Sequence, residues 1–344
     1  TALLNANINQ PLTDFSPFLK DANTLYYGSW VSDKMELVNK HEKAATFSRI
    51  YTATKKGGVW AKGEEAKDEL NTVQAHTGNA AFSYDGNTMY YTQCLQNEVQ
   101  AMRCDIYRSS HSANGWSKGE ALTTVNAAGV STTHPSVGKN EAGEDVLYFA
   151  SDRNPGKGMD IFYAKINTDG TLDKPKTVSG SINTTGDEMT PFYDFKNNVL
   201  FFSSNGHINI GGLDVFKTTY KDGDWTAPEN LGLPVNSSVD DMYFMWNAPA
   251  ALGFVVSNRT GGFSLKSPTC CDDIYQVELN KLYLAVKGKQ TVADSANTPI
   301  RNGMITLYEQ ETGKEIASVY AVDGSYLFDL EGEKNYKLVS RKKD

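Results

Sequence analysis

Apolar residues in this chain fall in short runs of four or five, closed at both ends by turn residues, with no sustained helical period. Leu25-Tyr26-Tyr27-Gly28-Ser29, Met89-Tyr90-Tyr91-Thr92-Gln93, Leu147-Tyr148-Phe149-Ala150-Ser151, Leu200-Phe201-Phe202-Ser203-Ser204 and Gly253-Phe254-Val255-Val256-Ser257 share this form. Such runs predict strands buried on both faces. Each precedes a second run: Arg49-Ile50-Tyr51, Asp105-Ile106-Tyr107, Asp160-Ile161-Phe162, Asp214-Val215-Phe216 and Asp273-Ile274-Tyr275. By subtraction of residue numbers their aromatic positions lie 56, 55, 54 and 59 apart, a period that marks a repeat architecture. Upstream stands an element with Pro or an aromatic residue, as in Ser16-Pro17-Phe18, Ala81-Phe82, His134-Pro135, Thr190-Pro191-Phe192 and Phe244-Met245. Downstream a turn carrying Trp60, Trp116 or Trp225 leads to a fourth strand that ends in Val125-Asn126, Ile182-Asn183 or Val235-Asn236. Four strands per unit is the blade of a β-propeller, so the predicted class is all-β, a five-bladed β-propeller over residues 1–280.

Ile8-Asn9 stands nine residues before Pro17, as Ile182-Asn183 stands nine before Pro191. Residues 1–9 therefore read as an outer strand that completes the fifth unit and covers an edge otherwise open to aggregation. From Lys281 the long period stops. Short strands at 282–286, 303–308, 316–320, 325–328 and 336–339, with turns at Pro299 and Gly324, predict a small transthyretin-like β-sandwich over 281–344, with room for a further strand beyond its end.

A net charge of −8 excludes a nucleic-acid backbone or an anionic bilayer as the main partner, since either needs a concentrated cationic field. No run approaches the length of a spanning helix, so no direct membrane insertion is expected. The chain begins at Thr1 without Met or a signal-like segment, as a processed or excised piece would. Four cysteines allow three pairings. A local bridge between Cys94 and Cys104, a vicinal one between Cys270 and Cys271, or four buried thiols all remain open, and both bridges need an oxidising compartment. No Cys or His spacing fits zinc, and neither a metal nor another cofactor is expected.

Candidate site residues come from the register of the units. Aligning Pro17, Pro135, Pro191 and Phe244 brings Asp14, Thr132, Glu188 and Asp241 to the start of each innermost strand, at the rim of the central channel, with His134 beside them. The rim reads either as an acidic platform for a basic peptide or a cation, or as side chains capping their own turns. Asp105, Asp160, Asp214 and Asp273 occupy equivalent places in separate units and point to one structural hydrogen bond repeated around the ring.

The run Phe82-Ser83-Tyr84-Asp85-Gly86, followed by an aromatic strand and Asp-Ile-Tyr, resembles the TolB-type, WD-like propeller repeat. Residues 281–344 are similar to carboxypeptidase-regulatory-like domains through Thr298-Pro299-Ile300-Arg301-Asn302-Gly303 and Asp323-Gly324-Ser325-Tyr326. Together with Thr269-Cys270-Cys271-Asp272-Asp273-Ile274-Tyr275, the arrangement resembles the middle of Bacteroidetes OmpA-family envelope proteins, type IX secretion components among them. The resemblance implies a periplasmic, outer-membrane-associated protein with a lipid anchor upstream. It implies a non-catalytic docking scaffold in secretion or gliding machinery, whose partners are envelope or secretion-system proteins or peptides. Peptidoglycan would be reached only through a domain outside this segment.

Two alternatives stand beside this expectation. One is a carbohydrate- or muropeptide-binding propeller. The other is a sialidase-like glycosidase, favoured by Asp222-Gly223-Asp224-Trp225 at the place of the Asp-box turn; that chemistry requires clustered Arg and a Tyr nucleophile with an acidic neighbour. Arg153 and Arg259 end equivalent strands, but no further Arg recurs with them. A hydrolase of the prolyl-oligopeptidase type would need a Gly-x-Ser-x-Gly elbow in an α/β domain, and no α/β domain is predicted here.

Overall fold

The computed structural model describes residues 1–30, 47–67, 69–72, 74–96, 102–263, 271–278, 284–293, 295–330 and 334–342. The described elements are strands and turns, and they group into two compact units, Thr1–Glu278 and Leu279–Asp344. Among the described residues no helix is long and apolar enough to cross a membrane.

In the first unit five antiparallel sheets follow one another along the chain. Their first strands are Asp14–Asp21, His76–Phe82, Thr132–Lys139, Glu188–Asp194 and Asp241–Asn247. Each pairs with the aromatic run that the sequence marks, and that run pairs with the strand beginning at or near Arg49, Asp105, Asp160, Asp214 or Asp273. The first strands touch in cyclic order, the last of them lying against Asp14–Asp21. Tyr91, Tyr148, Phe149, Phe202 and Phe254 are fully buried between sheets. Each aromatic side chain removed from water in this way stabilises by ~2–3 kcal/mol, which makes the interfaces between sheets the main source of cohesion. Gly63 and Gly119 sit under the hydroxyls of Tyr27 and Tyr91, where a Cβ would collide with the phenol oxygen.

The fifth sheet takes its outermost strand from the N-terminus. Ala2 pairs with Gln276 and Leu3 with Tyr275. The strand is Ala2–Leu3 only, and the expected strand over Ile8-Asn9 is instead a turn. The difference has a physical cause, because Asn9 works through its side chain. Its Oδ1 accepts the Ile274 N–H at 2.8 Å and its Nδ2 donates to Ile274 O at 3.0 Å, replacing a strand partner with one amide group. The same clamp recurs in every sheet: Asn71 on Ile50, Asn126 on Ile106, Asn183 on Ile161 and Asn236 on Val215. Here the repeated structural bond belongs to asparagine.

The four aspartates expected to supply it behave unequally. Asp214 accepts the N–H groups of Ile210 and Gly211, Asp160 accepts from Asn154 Nδ2, and Asp273 accepts the Phe263 N–H. Asp105 is exposed, and the loop before it lies outside the described residues. Three of the four thus cap the loop that precedes them, each with different partners.

Cys94 and Cys104 face each other across adjacent strands and form a disulfide, one rung beyond the regular ladder of the other sheets. Cys271 is also disulfide-bonded, whereas Cys270 lies outside the described residues. Replacing Cys94 and Cys104 by serine is expected to lower stability by about 2 kcal/mol, through freedom regained by the unfolded chain. Urea unfolding of the double variant checks it; an unchanged midpoint would show that the hairpin is equally fixed without the bond.

In the second unit Gly303–Glu309 lies between Glu315–Ala321 and Tyr336–Lys342, and Leu284–Lys289 pairs with Ser325–Leu330. Ile305, Leu307, Ala321 and Phe328 form its core. Gly324 occupies a left-handed turn (φ 84°), while Pro299 ends a strand. The Leu282-Tyr283 part of the strand expected at 282–286 lies outside the described residues.

Candidate functional site at the channel mouth

All five first strands carry an irregularity near their start. Pairing skips between Phe15 and Phe18, Gly78 and Ala81, Thr133 and Ser136, Met189 and Phe192, and Met242 and Met245. Within each gap one residue is left-handed: Ser16 (φ 48°), Asn79 (56°), His134 (53°), Thr190 (50°) and Tyr243 (53°). For non-glycine residues this region costs on the order of 1 kcal/mol or more, so its recurrence marks a β-bulge built into the fold. These side chains meet around the axis. Ser16 Oγ accepts the Asn79 N–H at 3.0 Å, Asn79 Nδ2 donates to Thr133 Oγ1 at 3.2 Å, and Thr190 Oγ1 accepts the Tyr243 N–H at 3.3 Å. His134 Nε2 lies 3.1 Å from the Tyr243 hydroxyl. Burial pushes His134 down to about 4, so its ring is neutral at ordinary pH, and its Nδ1 has no hydrogen-bond partner among the described residues. At this level the cavity shrinks to ≈40 Å³.

On the side where the strands begin, the channel opens into a mouth of ≈340 Å³, lined by Phe15, His76, Thr77, Asn79, Thr133, His134, Met159, Met189 and Tyr243. The rim residues expected to face a ligand here do not. Asp14, Thr132, Glu188 and Asp241 are 0% exposed. Glu188 accepts the Thr184 N–H, Thr184 Oγ1 and Ser204 Oγ, each at 2.7 Å. Asp241 accepts the Ser237 N–H at 2.6 Å and pairs with Arg259. Asp14 accepts the Gln10 N–H, and Thr132 Oγ1 accepts from Arg153 Nη2 at 3.2 Å. The capping alternative is realised at Asp14, Glu188 and Asp241, Thr132 takes its bond from Arg153 instead, and Thr77 holds the equivalent place in the second sheet. His134 lies two residues deeper, on its bulge.

Nor do the arginines cluster. Arg153 Nη2 donates to Val125 O at 2.7 Å beneath a stack on Phe149 and Phe162, and Arg259 Nη2 donates to Val235 O at 2.7 Å over Tyr275. Arg49 donates to the carbonyls of Ser48 and Ala75. Each ties its sheet to a backbone segment of a neighbouring unit, which leaves no cationic cradle of the sialidase kind among the described residues. Asp222 and Gly223 form a left-handed hairpin turn outside the mouth.

Near Tyr243, which lines this mouth beside the titratable His76, stands Asp272. It is half-buried, and burial followed by the Asp240 carboxylate pushes it up to about 6. Its charge also helps raise the Tyr243 hydroxyl, which burial raises first. The Asp272 carbonyl accepts the Asp14 N–H at 2.8 Å. Asp240 stays tied by the Leu213 N–H at 2.9 Å and by Asn258 Nδ2 at 3.4 Å. Asp273 is pushed up to about 6 and Asp14 to about 8, in both cases mainly by burial. Sequence reasoning passed over Asp240 and Asp272 because each precedes a residue that alignment selected. The doublets Asp240-Asp241 and Asp272-Asp273 were the available signal: one acid of each is buried in the sheet, and its neighbour is left partly exposed.

Asp14 carries a pH prediction. Its folded-state value of about 8 lies above the unfolded value, so the native chain holds the proton more tightly and stability falls as pH rises from about 4 to about 8. Asp14→Asn keeps an acceptor for Gln10 and removes the titration. The variant is expected to lose roughly 1–3 kcal/mol less stability than the parent chain between pH 5 and pH 8. Parallel denaturation curves at the two pH values test this, and identical slopes would refute it.

No protein-family model matches the chain, and no curated protein sequence matches it. Solved structures do. A thermostable family-43 glycoside hydrolase aligns with TM-score 0.51 and 14% identity, covering 81% of this chain and 94% of its own. An α-L-arabinofuranosidase from Lactobacillus brevis aligns with TM-score 0.51 and 13% identity over 86% of this chain and 95% of its own. The exo-β-1,3-galactanase 1,3Gal43A from Clostridium thermocellum gives TM-score 0.50 and 12% identity, over 97% and 76%. These neighbours are glycoside hydrolases, which overturns the expected kinship with OmpA-family envelope and type IX secretion proteins. The expectation of a non-catalytic docking scaffold falls with it. At these identities the likeness establishes the architecture, and the first unit is a β-propeller.

Proposed function

We propose that this chain is a carbohydrate-active propeller that cleaves glycosidic bonds at the mouth beside Asp272. One observation carries the reading: a half-buried carboxyl pushed up to about 6 by burial and by the Asp240 charge, close enough to Tyr243 of the channel mouth for its charge to raise that hydroxyl. Glycoside hydrolysis needs one carboxylic acid that keeps its proton near neutral pH and a second that stays ionised. Burial and the neighbouring charge fit Asp272 for the first role, and Asp240, held in place by the Leu213 N–H and by Asn258, is the second carboxylate beside it. The arabinofuranosidase and the galactanase among the structural neighbours support the same reaction class and suggest arabinose- and galactose-containing glycans as first substrates.

The test is release of reducing sugar from linear arabinan, β-1,3-galactan and aryl arabinofuranosides and galactosides. Turnover of one of them is expected. A folded chain inert toward all of them would refute the reading.

The finer architecture belongs to the same proposal. Five sheets whose first strands touch in cyclic order, with Ala2–Leu3 on the last, support a five-bladed ring closed by its N-terminal strand. Two small sheets around one core support a transthyretin-like sandwich in the second unit. The Cys94–Cys104 bond supports an oxidising compartment such as the periplasm.

A further inference from the structure

We propose that the opposite mouth of the channel is a second saccharide site, a platform for an uncharged oligosaccharide. The first strands end around a cup of ≈780 Å³, more than twice the ≈340 Å³ of the other mouth. Its size falls within the roughly 300–1,000 Å³ of clefts that take small molecules.

Three rings from three different sheets stand on this cup: Tyr84, Phe195 and Trp246. Tyr84 is 82% exposed, an unusual position for a large ring, and it meets Phe195 edge-on with centroids 5.3 Å apart. Each ring is held by its surroundings. The Tyr84 turn is fixed by Asp85, which accepts from Ser83 Oγ at 2.5 Å and from the Asn87 N–H at 3.0 Å. The Phe195 turn is fixed by Asp194, which accepts the Lys196 N–H at 2.9 Å and Asn197 Nδ2 at 2.6 Å. Trp246 lies across Gly253, where a Cβ would meet its ring at 2.7 Å. Rings fixed before binding cost little ordering entropy when a ligand stacks on them.

The surrounding charge selects the ligand. Lys139 pairs with Asp145 at 2.8 Å, and the other two charges of the lining, Asp194 bound in its own turn and Lys196, offset each other in sign. Two cations and two anions leave the cup without net charge to attract an ion, yet they border the aromatic floor with polar groups. A pyranose or furanose ring matches this surface, with C–H groups against the aromatic faces and hydroxyls toward the polar border. A purely apolar ligand would bury those polar groups without partners. The site shares its class of ligand with the reading of the other mouth, but no residue.

Calorimetric titration of the full chain and of Asp272→Asn with arabino- and galacto-oligosaccharides of four or more sugars tests the proposal. Both proteins are expected to bind one of the series. Tyr84→Ala, at an exposed position where folding is safe, and Trp246→Ala are each expected to weaken binding about tenfold. Tyr84→Ala should hydrolyse a small aryl glycoside at the parent rate. Binding that depends on Tyr84 in a chain without hydrolytic activity would uphold this site and refute the catalytic one. No binding of any oligosaccharide, equal affinity in Tyr84→Ala and the parent, or a cup that takes an aromatic peptide and no sugar would each overturn it.

Discussion

Asn9→Ala is expected to lower the unfolding free energy by about 3–5 kcal/mol, the largest loss from any single polar side chain of the propeller. Asn9 is fully buried, although it lies in a turn only nine residues from the start of the chain. Three bonds depend on it: the Ile274 N–H on Oδ1 at 2.8 Å, and Ile274 O and Leu4 O under Nδ2, both at 3.0 Å. Alanine would take the partner from the Ile274 N–H and from the Leu4 carbonyl, while Ile274 O keeps the Leu4 N–H at 3.0 Å, and each buried group left unpaired costs about 1–3 kcal/mol. Equivalent clamps act within their own sheets: Asn71, for example, binds Ile50 at a separation of 21 residues. Asn9 spans 265 residues and ties the first sheet to the last. Its loss should therefore reduce cooperativity as well as stability, seen as a shallower urea transition with the fifth sheet opening early in hydrogen exchange. Asn71→Ala, only partly buried, should cost less and leave the slope unchanged. Equal and small effects from the two variants would show that the ring is held without the clamp.

What the sequence made legible follows from which physical constraint acts on each residue. Strands buried on both faces admit few side chains, so Tyr90-Tyr91, Tyr148-Phe149 and Phe201-Phe202 announce themselves by composition, and their spacing reports the repeat. The hydrophobic-Asn pair was visible in four copies but was read as the end of a strand. Its amide imitates the backbone hydrogen bonds of a neighbouring strand, and nothing in periodicity separates the two. Bulges were hidden for the opposite reason: Ser16, Asn79, His134, Thr190 and Tyr243 share a backbone state but no chemistry. The site suffered most. Alignment favours positions that recur, whereas recurrence here marks the residues tied up in turns, such as Glu188 and Asp241. A group that serves one mouth has no reason to recur, and Asp272 does not. The resemblance to envelope docking proteins rested on strand and turn residues, which any propeller of this build must supply.

Asp272→Asn is expected to reduce glycoside hydrolysis by roughly 10²–10⁴-fold, the usual contribution of a positioned general acid, with little change in thermal midpoint. The pH profile separates this role from a structural one. In the parent chain the rate should fall as pH rises through about 6, where Asp272 loses its proton, and that limb should vanish in the variant. Asp240→Asn gives the complementary result. Removing the adjacent carboxylate withdraws one of the two causes that hold Asp272 up, so the limb that remains should move to lower pH while the maximal rate falls with the loss of the second carboxylate. A structural aspartate would show neither displacement: its replacement would lower the midpoint and leave the profile in place. A parent-like rate in Asp272→Asn, or an alkaline limb that ignores both substitutions, would transfer the chemistry to another carboxylate of the mouth. Asp273, also raised to about 6 but holding the Phe263 N–H with its buried carboxylate, would be examined next by the same pair of measurements.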